Sequence, residues 1–281
     1  FSHSKSSHHN DTMPVKRRCG IIHGMLQVTA ELLERRIDGP ALELRLRAPE
    51  LARQLSAGQA VMVRAGWALE PFLRRTFHPV AFDAESWTLR LPPSGDWGHA
   101  WLRTAAPGTG IDCVGPVGRG YKVGSGVRNL LCAGEGATAW ALLPAITSAD
   151  AHRLSIAFAM QSSGGRDAIP PARLPAAVEY RVATDDTRSD PKRAVSGLGD
   201  WLAWADALLA AGSLEFYAQL AEAIKATRFG LAGGFAQVLY PQTYFCGVGA
   251  CLSCVADLAS GRRRICLRGP VFDLVDVVAA G

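Results

Sequence analysis

Cys246, Cys251, Cys254 and Cys266 stand near the C-terminal end with the spacing C-x4-C-x2-C-x11-C. The first three follow the plant-type [2Fe-2S] ligand run, in which a tight loop wraps one iron and a fourth thiolate arrives from elsewhere. Iron favours soft anionic sulfur, and a two-iron cluster takes four thiolates, two per iron. Gly247 and Gly249 lie between the first two cysteines. Glycine lets the backbone turn through positive φ there and brings amide N–H groups close to cluster sulfides. Structural zinc is an alternative, but it prefers paired C-x2–4-C knuckles, and only Cys251 and Cys254 form one. Two disulfides would suit a small secreted domain rather than a chain with this much apolar content. The four cysteines are therefore read as metal ligands of a one-electron carrier.

At 281 residues the chain has room for two domains and a small module. Hydrophobic residues make up 48% and charged residues 20%, as in globular proteins. No apolar run is long enough to span a bilayer. A net charge of +5 is too diffuse to argue for nucleic acid. Cys19, Cys113 and Cys132 are scattered, which fits a reducing cytoplasm. Residues 1–20 read as a polar tail: a disordered segment, an appended one or a processed leader. Met13 is a possible native start, and His3, His8 and His9 belong to this tail rather than to a metal site.

These cysteines need a scaffold. Between residues 21 and 125, short alternating runs are broken by Gly and Pro. Ala41–Arg47, Gln59–Arg64 and Trp87–Leu91 read as strands, and Ile111–Val114 as one that ends at the Gly115-Pro116 turn. This predicts an antiparallel β-barrel. From 126 to 235 strands alternate with helices. Asn129–Cys132, Arg153–Phe158 and Val178–Val182 are strands, and Thr138–Ser148 and Leu214–Thr227 are helices. Trp201–Leu209 is a strand or a short amphipathic element. The fold class is thus mixed: a barrel, an α/β layer with a parallel sheet, and the cysteine module at 236–281.

From Ile21 to Val277 the sequence resembles the electron-transfer subunit of class 1B dihydroorotate dehydrogenase, in the ferredoxin-reductase superfamily. The resemblance is carried by Pro71-Phe-Leu-Arg-Arg-Thr-Phe77, by Gly115-Pro-Val-Gly-Arg-Gly-Tyr121 and by Cys266-Leu-Arg-Gly-Pro-Val-Phe-Asp273, where Arg268 replaces an acidic residue. It implies FAD on the barrel, the [2Fe-2S] cluster, and an FMN-bearing catalytic partner or other redox subunit. The family's net chemistry is oxidation of dihydroorotate to orotate in pyrimidine synthesis, and the family assembles as a heteromer.

The resemblance also places the flavin residues. Arg75 is expected at the pyrophosphate, Thr76 on the same strand, Phe77 packed on the flavin, and His78 where the family has Ser. Gly98 and His99 open an apolar helix whose N–H groups face the phosphate, with His99 in place of Thr. The bland reading of Arg74 and Arg75 is a solvated strand edge. Ala133-Gly134-Glu135-Gly136-Ala137 departs from the family's glycine-rich turn. Glu135 would set a carboxylate beside a pyrophosphate unless it turns away. Ala211-Gly212-Ser213 stands where the family has Cys-Gly-Pro. Weak use of NAD(P)H is the expectation.

Near the cluster, Arg262-Arg263-Arg264 reads as a solvated turn or as a cationic rim for an acidic partner. Val248, Leu252 and Phe245 are expected to shield the sulfides, and Asp273 to cap locally. No hydrolytic motif and no acid/base pair stands out, so substrate chemistry would belong to the partner. Two other readings stay open. One is a degenerate paralogue kept as an accessory or scaffold subunit, with the cluster but without FAD or NAD. The other is a redox sensor, ranked last because no DNA-binding helix pair is evident.

Overall fold

A computed structural model describes residues 20–22, 24–66, 73–93, 96–148, 153–185 and 197–279. The tail with Met13, His3, His8 and His9, Cys19, and Pro71 and Phe72 of the flavin motif lie outside the described residues.

The first sheet has eight strands: β1 (Gly20–Ile22), β2 (Met25–Asp38), β3 (Ala41–Arg47), β4 (Ala60–Arg64), β5 (Arg75–Phe77), β6 (Ala81–Phe82), β7 (Ser86–Leu91) and β8 (Gly110–Val117). They pair antiparallel in the order β5-β4-β8-β2-β3-β7-β6, with β1 on β2, and curl as a half-barrel around one core. Leu42, Leu44 and Leu46 of β3 and Leu89 and Leu91 of β7 are buried there, as period-two alternation requires. Strand β8 does not stop at Gly115-Pro116 as its turn signal suggests. The peptide is cis and the strand runs on to Val117. Its continuation meets the C-terminal motif: Arg119 N–H donates to the Gly269 carbonyl at 2.5 Å, and Arg119 bridges to Pro270. Two of the three motifs that carry the family resemblance are thus neighbours in space.

The second sheet contains β9 (Asn129–Glu135), β10 (Ser155–Ser163), β11 (Glu179–Asp185), β12 (Ala207–Ala211) and β13 (Ala236–Leu239), all parallel. The short hairpin β14 (Val255–Ala256) and β15 (Arg263–Arg264) stands apart, and β16 (Val271–Asp273) closes the second sheet antiparallel to β13. Sheet order is β11-β10-β9-β12-β13-β16. β12, Ala-Leu-Leu-Ala-Ala, is buried along its whole length, as a strand covered on both faces must be. The chain steps outward from β9 to β11, then returns to the other side of β9 with β12. The C-terminal ends of β9 and β12 therefore form the switch-point crevice where open α/β sheets bind ligands.

Two expectations need correction. Thr138–Ser148 is not one helix but a 3-10 turn, Gly136–Leu142, followed by a short α-helix, Leu143–Thr147. Pro144 lacks an N–H and fits only the first turn of an α-helix, so the helix must start anew there. Trp201–Leu209 divides into the end of a helix, Gly199–Trp204, and the start of β12. Among the described residues no helix is long and apolar enough to cross a membrane.

Candidate functional site

Strand β5 is only three residues long, but it positions one wall of a cleft of about 830 Å³. Arg75, Phe77 and His78 line the barrel side, Thr138 and Trp140 the first α/β turn, and Phe245 the edge of the cysteine module. The volume is that of a cofactor site. Phe77 is buried, and its ring meets the His99 ring edge-on at 5.6 Å. His78 Nδ1 lies 3.2 Å from the Gly58 carbonyl and 3.3 Å from that of Gln59. In the neutral ring this places the proton on Nδ1 and leaves Nε2 as an acceptor. Burial outweighs those carbonyls and holds His78 down at about 4.

The predicted phosphate seat is built, and the chain's own carboxylate sits in it. Asp96 caps the helix Trp97–Thr104, taking the N–H groups of Gly98 at 2.9 Å and His99 at 3.1 Å. Arg75 donates to the same carboxylate from Nε at 3.0 Å and from its terminal nitrogen at 2.7 Å, and His99 Nδ1 lies 3.0 Å away. The Arg75 guanidinium holds the Asp96 carboxyl far below the usual carboxylate range. Gly98 is required by close approach, because a Cβ there would fall 2.3 Å from Arg75 Nε. A helix start plus a guanidinium is the donor set a phosphate uses, and Asp96 stands in for that anion. The residues therefore fit a flavin phosphate that takes the place of Asp96. Neither arginine is a solvated strand edge, since Arg74 pairs with buried Asp112 at 2.6 Å.

At the switch point the geometry is closed. Glu135 turns away from the β9 turn and accepts the Ser213 N–H at 2.8 Å, beside the start of the helix Leu214–Arg228. The Ser213 hydroxyl caps that helix at Phe216 N–H. A Cβ on Gly134 would lie 2.5 Å from Ala139 Cβ, so this glycine serves strand-to-turn packing. A Cβ on Gly212 would lie 2.5 Å from the Phe216 ring. These residues do not fit a dinucleotide pyrophosphate.

The cysteine loop lies between β13 and β16. Gly247 and Gly249 have φ of 70° and 72°, which L side chains rarely adopt. That curvature aims backbone N–H groups at Cys246 and, through Gly249, one at Cys266. Burial opposes ionisation of Cys246, but the N–H groups of Cys251, Val248 and Ala250 and the Cys251 thiol outweigh it and hold Cys246 down at about 7. The second pair is Cys254 and Cys266, with sulfurs 3.4 Å apart and both buried. Burial and the adjoining Cys254 push Cys266 up to about 12. The four thiols thus gather two by two, and among the described residues no three His, Cys, Asp or Glu side chains form a single-ion set. Two pairs match two irons with two thiolates each.

Arg264 donates to the Gly249 carbonyl at 2.9 Å and so braces the loop. Arg262 pairs with Asp257 on the surface. Val248 packs on the core, but Phe245 and Leu252 face outward, so they do not shield the sulfurs as their apolar character suggests. Asp273 caps the helix Leu274–Val278 through Val275 N–H at 2.9 Å.

Cleft and loop are joined by one side chain. The Thr76 hydroxyl on β5 donates to the Tyr244 carbonyl at 2.7 Å, two residues before Cys246. Sequence reasoning places Thr76 in the flavin strand but gives it no such task. It misses Asp96 altogether, although an Asp just ahead of a helix is a readable cap signal.

Comparison with known proteins agrees with this construction. Residues 243–278 match the family profile described as the iron-sulfur cluster binding domain of dihydroorotate dehydrogenase B. In overall fold the chain superposes on an NADH-dependent reduced ferredoxin-NADP oxidoreductase with a TM-score of 0.69, at 16% identity, over 89% of each chain. It also superposes on the ferredoxin reductase of carbazole 1,9a-dioxygenase with a TM-score of 0.56, at 17% identity, over 72% of this chain and 66% of the other. The class is thus a ferredoxin-reductase-like fold with a C-terminal cysteine module.

Within that class the chain is similar to the electron-transfer subunits of dihydroorotate dehydrogenase B (NAD(+)). It is 27% identical to the subunit of Desulforamulus reducens over 245 residues, covering 82% of this chain and 90% of that one. It is 25% identical to that of Geobacillus thermodenitrificans over 256 residues, covering 87% and 95%.

Proposed function

We propose that this chain is the iron–sulfur flavoprotein subunit of an oxidoreductase, relaying electrons between FAD and a partner redox subunit. By its relatives' names, the partner is a dihydroorotate dehydrogenase-like catalytic chain; the family resemblance adds FMN on that chain and pyrimidine biosynthesis as the pathway. The observation that carries the reading is the Thr76–Tyr244 bond, which fastens the flavin strand to the loop holding two pairs of thiols. When bound, FAD exchanges two electrons with a donor and the [2Fe-2S] cluster passes them on singly. Cys246 and Cys251 would hold one iron, and Cys254 and Cys266 the other. Arg75 with the Gly98 and His99 N–H groups would hold the flavin phosphate, Phe77 would pack on the ring system, and His78 and Thr76 would complete the wall. Residues 21–125 serve as the flavin barrel, 126–235 as the nucleotide-binding-like layer and 236–281 as the cluster module, in a cytoplasmic protein. Substrate chemistry belongs to the partner, and with Glu135 on Ser213 the chain makes weak use of NAD(P)H.

An accessory role without flavin is the second reading, and Asp96 in the phosphate seat is what favours it. One experiment separates the two: a visible spectrum of anaerobically purified protein, with iron, sulfide and flavin assayed after acid release. Two irons and one flavin per chain support electron relay. Cluster without flavin supports the accessory role. One zinc per chain and no chromophore overturns both.

A further inference from the structure

Tyr244 is fully buried, and among the described residues its phenol oxygen has no hydrogen-bond partner. The main chain of this residue is pinned from both sides by Thr76, whose hydroxyl donates to its carbonyl at 2.7 Å and accepts its N–H at 3.4 Å. The ring is wholly enclosed by its neighbours and reaches no water. It shares a core with Cys254, Cys266, Met62 and Val117. The Cys266 and Cys254 thiols lie close enough to act electrostatically on the phenol. An unpartnered buried hydroxyl costs about 1–3 kcal/mol, and folded proteins rarely leave one so. The core it shares includes the Cys254 and Cys266 thiols, which become anionic when they hold iron.

The two thiol pairs also differ in their donors. Backbone N–H groups from the glycine-bent loop are aimed at Cys246. The buried Cys254–Cys266 pair takes only one of those groups, from Gly249 to Cys266, and the orphaned hydroxyl of Tyr244 is a further donor in the same core.

We propose that the Tyr244 hydroxyl donates a hydrogen bond to sulfur of the Cys254–Cys266 half of the cluster site and thereby raises the cluster's reduction potential. Tyr244 is a positioning and tuning residue and not a ligand. A donor on sulfur stabilises the more negative, reduced state over the oxidised one, so removing it favours oxidation. This inference rests on the iron–sulfur reading above, and its test keeps the two apart.

The experiment is a redox titration of the purified full chain, followed by electron paramagnetic resonance, for wild type and Tyr244→Phe. The variant keeps the ring and loses only the hydroxyl. The expected result is a shift of about tenfold in the one-electron equilibrium toward the oxidised form, a potential lower by about 59 mV. Iron content and thermal midpoint should match wild type, as they would not for a purely structural role. An unchanged potential with a full cluster overturns the proposal. Wild type without a cluster signal sinks the iron–sulfur reading itself. Should Tyr244→Phe fail to hold iron, the wild-type chain made with 3-fluorotyrosine at all five tyrosines decides the matter. Fluorination leaves the shape nearly unchanged and strengthens the phenol as a donor. A higher potential supports the proposal, and no change overturns it.

Discussion

Two helices start beside the chemistry of this molecule, and the chain places its own carboxylate at each. At Trp97–Thr104 the carboxylate is Asp96; at Leu214–Arg228 it is Glu135. Asp96 is about half exposed, at 51%, while its partner Arg75 is sheltered at 15%. That seat is made of donors, and its occupant can leave toward water while the cation stays. Glu135 instead takes a backbone N–H, and among the described residues no cation pairs with it. Around it, Gly134 against Ala139 and Gly212 against Phe216 leave no room for added atoms. The same residue chemistry thus gives a site that can exchange its anion and one that cannot. Packing and a sheltered cation decide which, and the carboxylate itself does not.

The sharpest attack on this contrast is Gly98→Ala. The new methyl would evict Arg75 from the first seat. FAD affinity is expected to fall about a hundredfold, the value of a lost charge-assisted pair of bonds, by flavin fluorescence titration. Thermal stability should hardly move, since Ala favours the helix by about 1 kcal/mol over Gly. Undiminished affinity would show that the seat does not hold the flavin.

The next effect is in stability against pH. His78, on the wall of the first seat, sits at about 4, against 6.5 when unperturbed. Between those values the unfolded chain binds the proton more readily than the folded one. Stability should therefore fall as pH drops from about 6.5 and level off below about 4. The loss is at most about 3 kcal/mol, less whatever solvent screening removes. Denaturant melts of the wild type and His78→Gln across that range test it, and the variant should lack this slope.

A smaller change is expected from Asp96→Asn. Asparagine still caps the helix but no longer neutralises Arg75. FAD should bind about tenfold more tightly, about 1.4 kcal/mol. Weaker binding would mean that Asp96 assists the flavin instead of competing with it. The least effect belongs to the closed seat. Glu135→Gln should cost about 0.5–1 kcal/mol of stability and leave flavin reduction by NADH within about threefold in stopped flow. A hundredfold gain from that one change would erase the distinction between the two seats.

How far the chain could be read in advance follows the same logic. Ala41–Arg47 alternates strictly, and its strand has those very bounds. The cysteine spacing and its two glycines anticipate a loop bent through positive φ. Such local patterns are written in the residues that use them. The seat contents were not legible, because Asp96 meets Arg75 across 21 positions and Glu135 meets Ser213 across 78. Only the Asp96 cap had a local trace. The long strand Met25–Asp38 also lacks a clean period, since its far half, Glu34–Arg36, is exposed. Tyr244 leaves no sequence signal, because an orphaned hydroxyl is a property of what surrounds it.

The Thr76–Tyr244 bond spans 168 positions. The ribosome releases Thr76 long before Tyr244 and the cysteine run exist. A nascent chain therefore carries its flavin wall with that hydroxyl unmatched until Tyr244 is added, and none of the four thiols precedes it. Metal loading therefore follows synthesis of the flavin wall, and a product terminated before Cys246 lacks the four thiols that would capture iron.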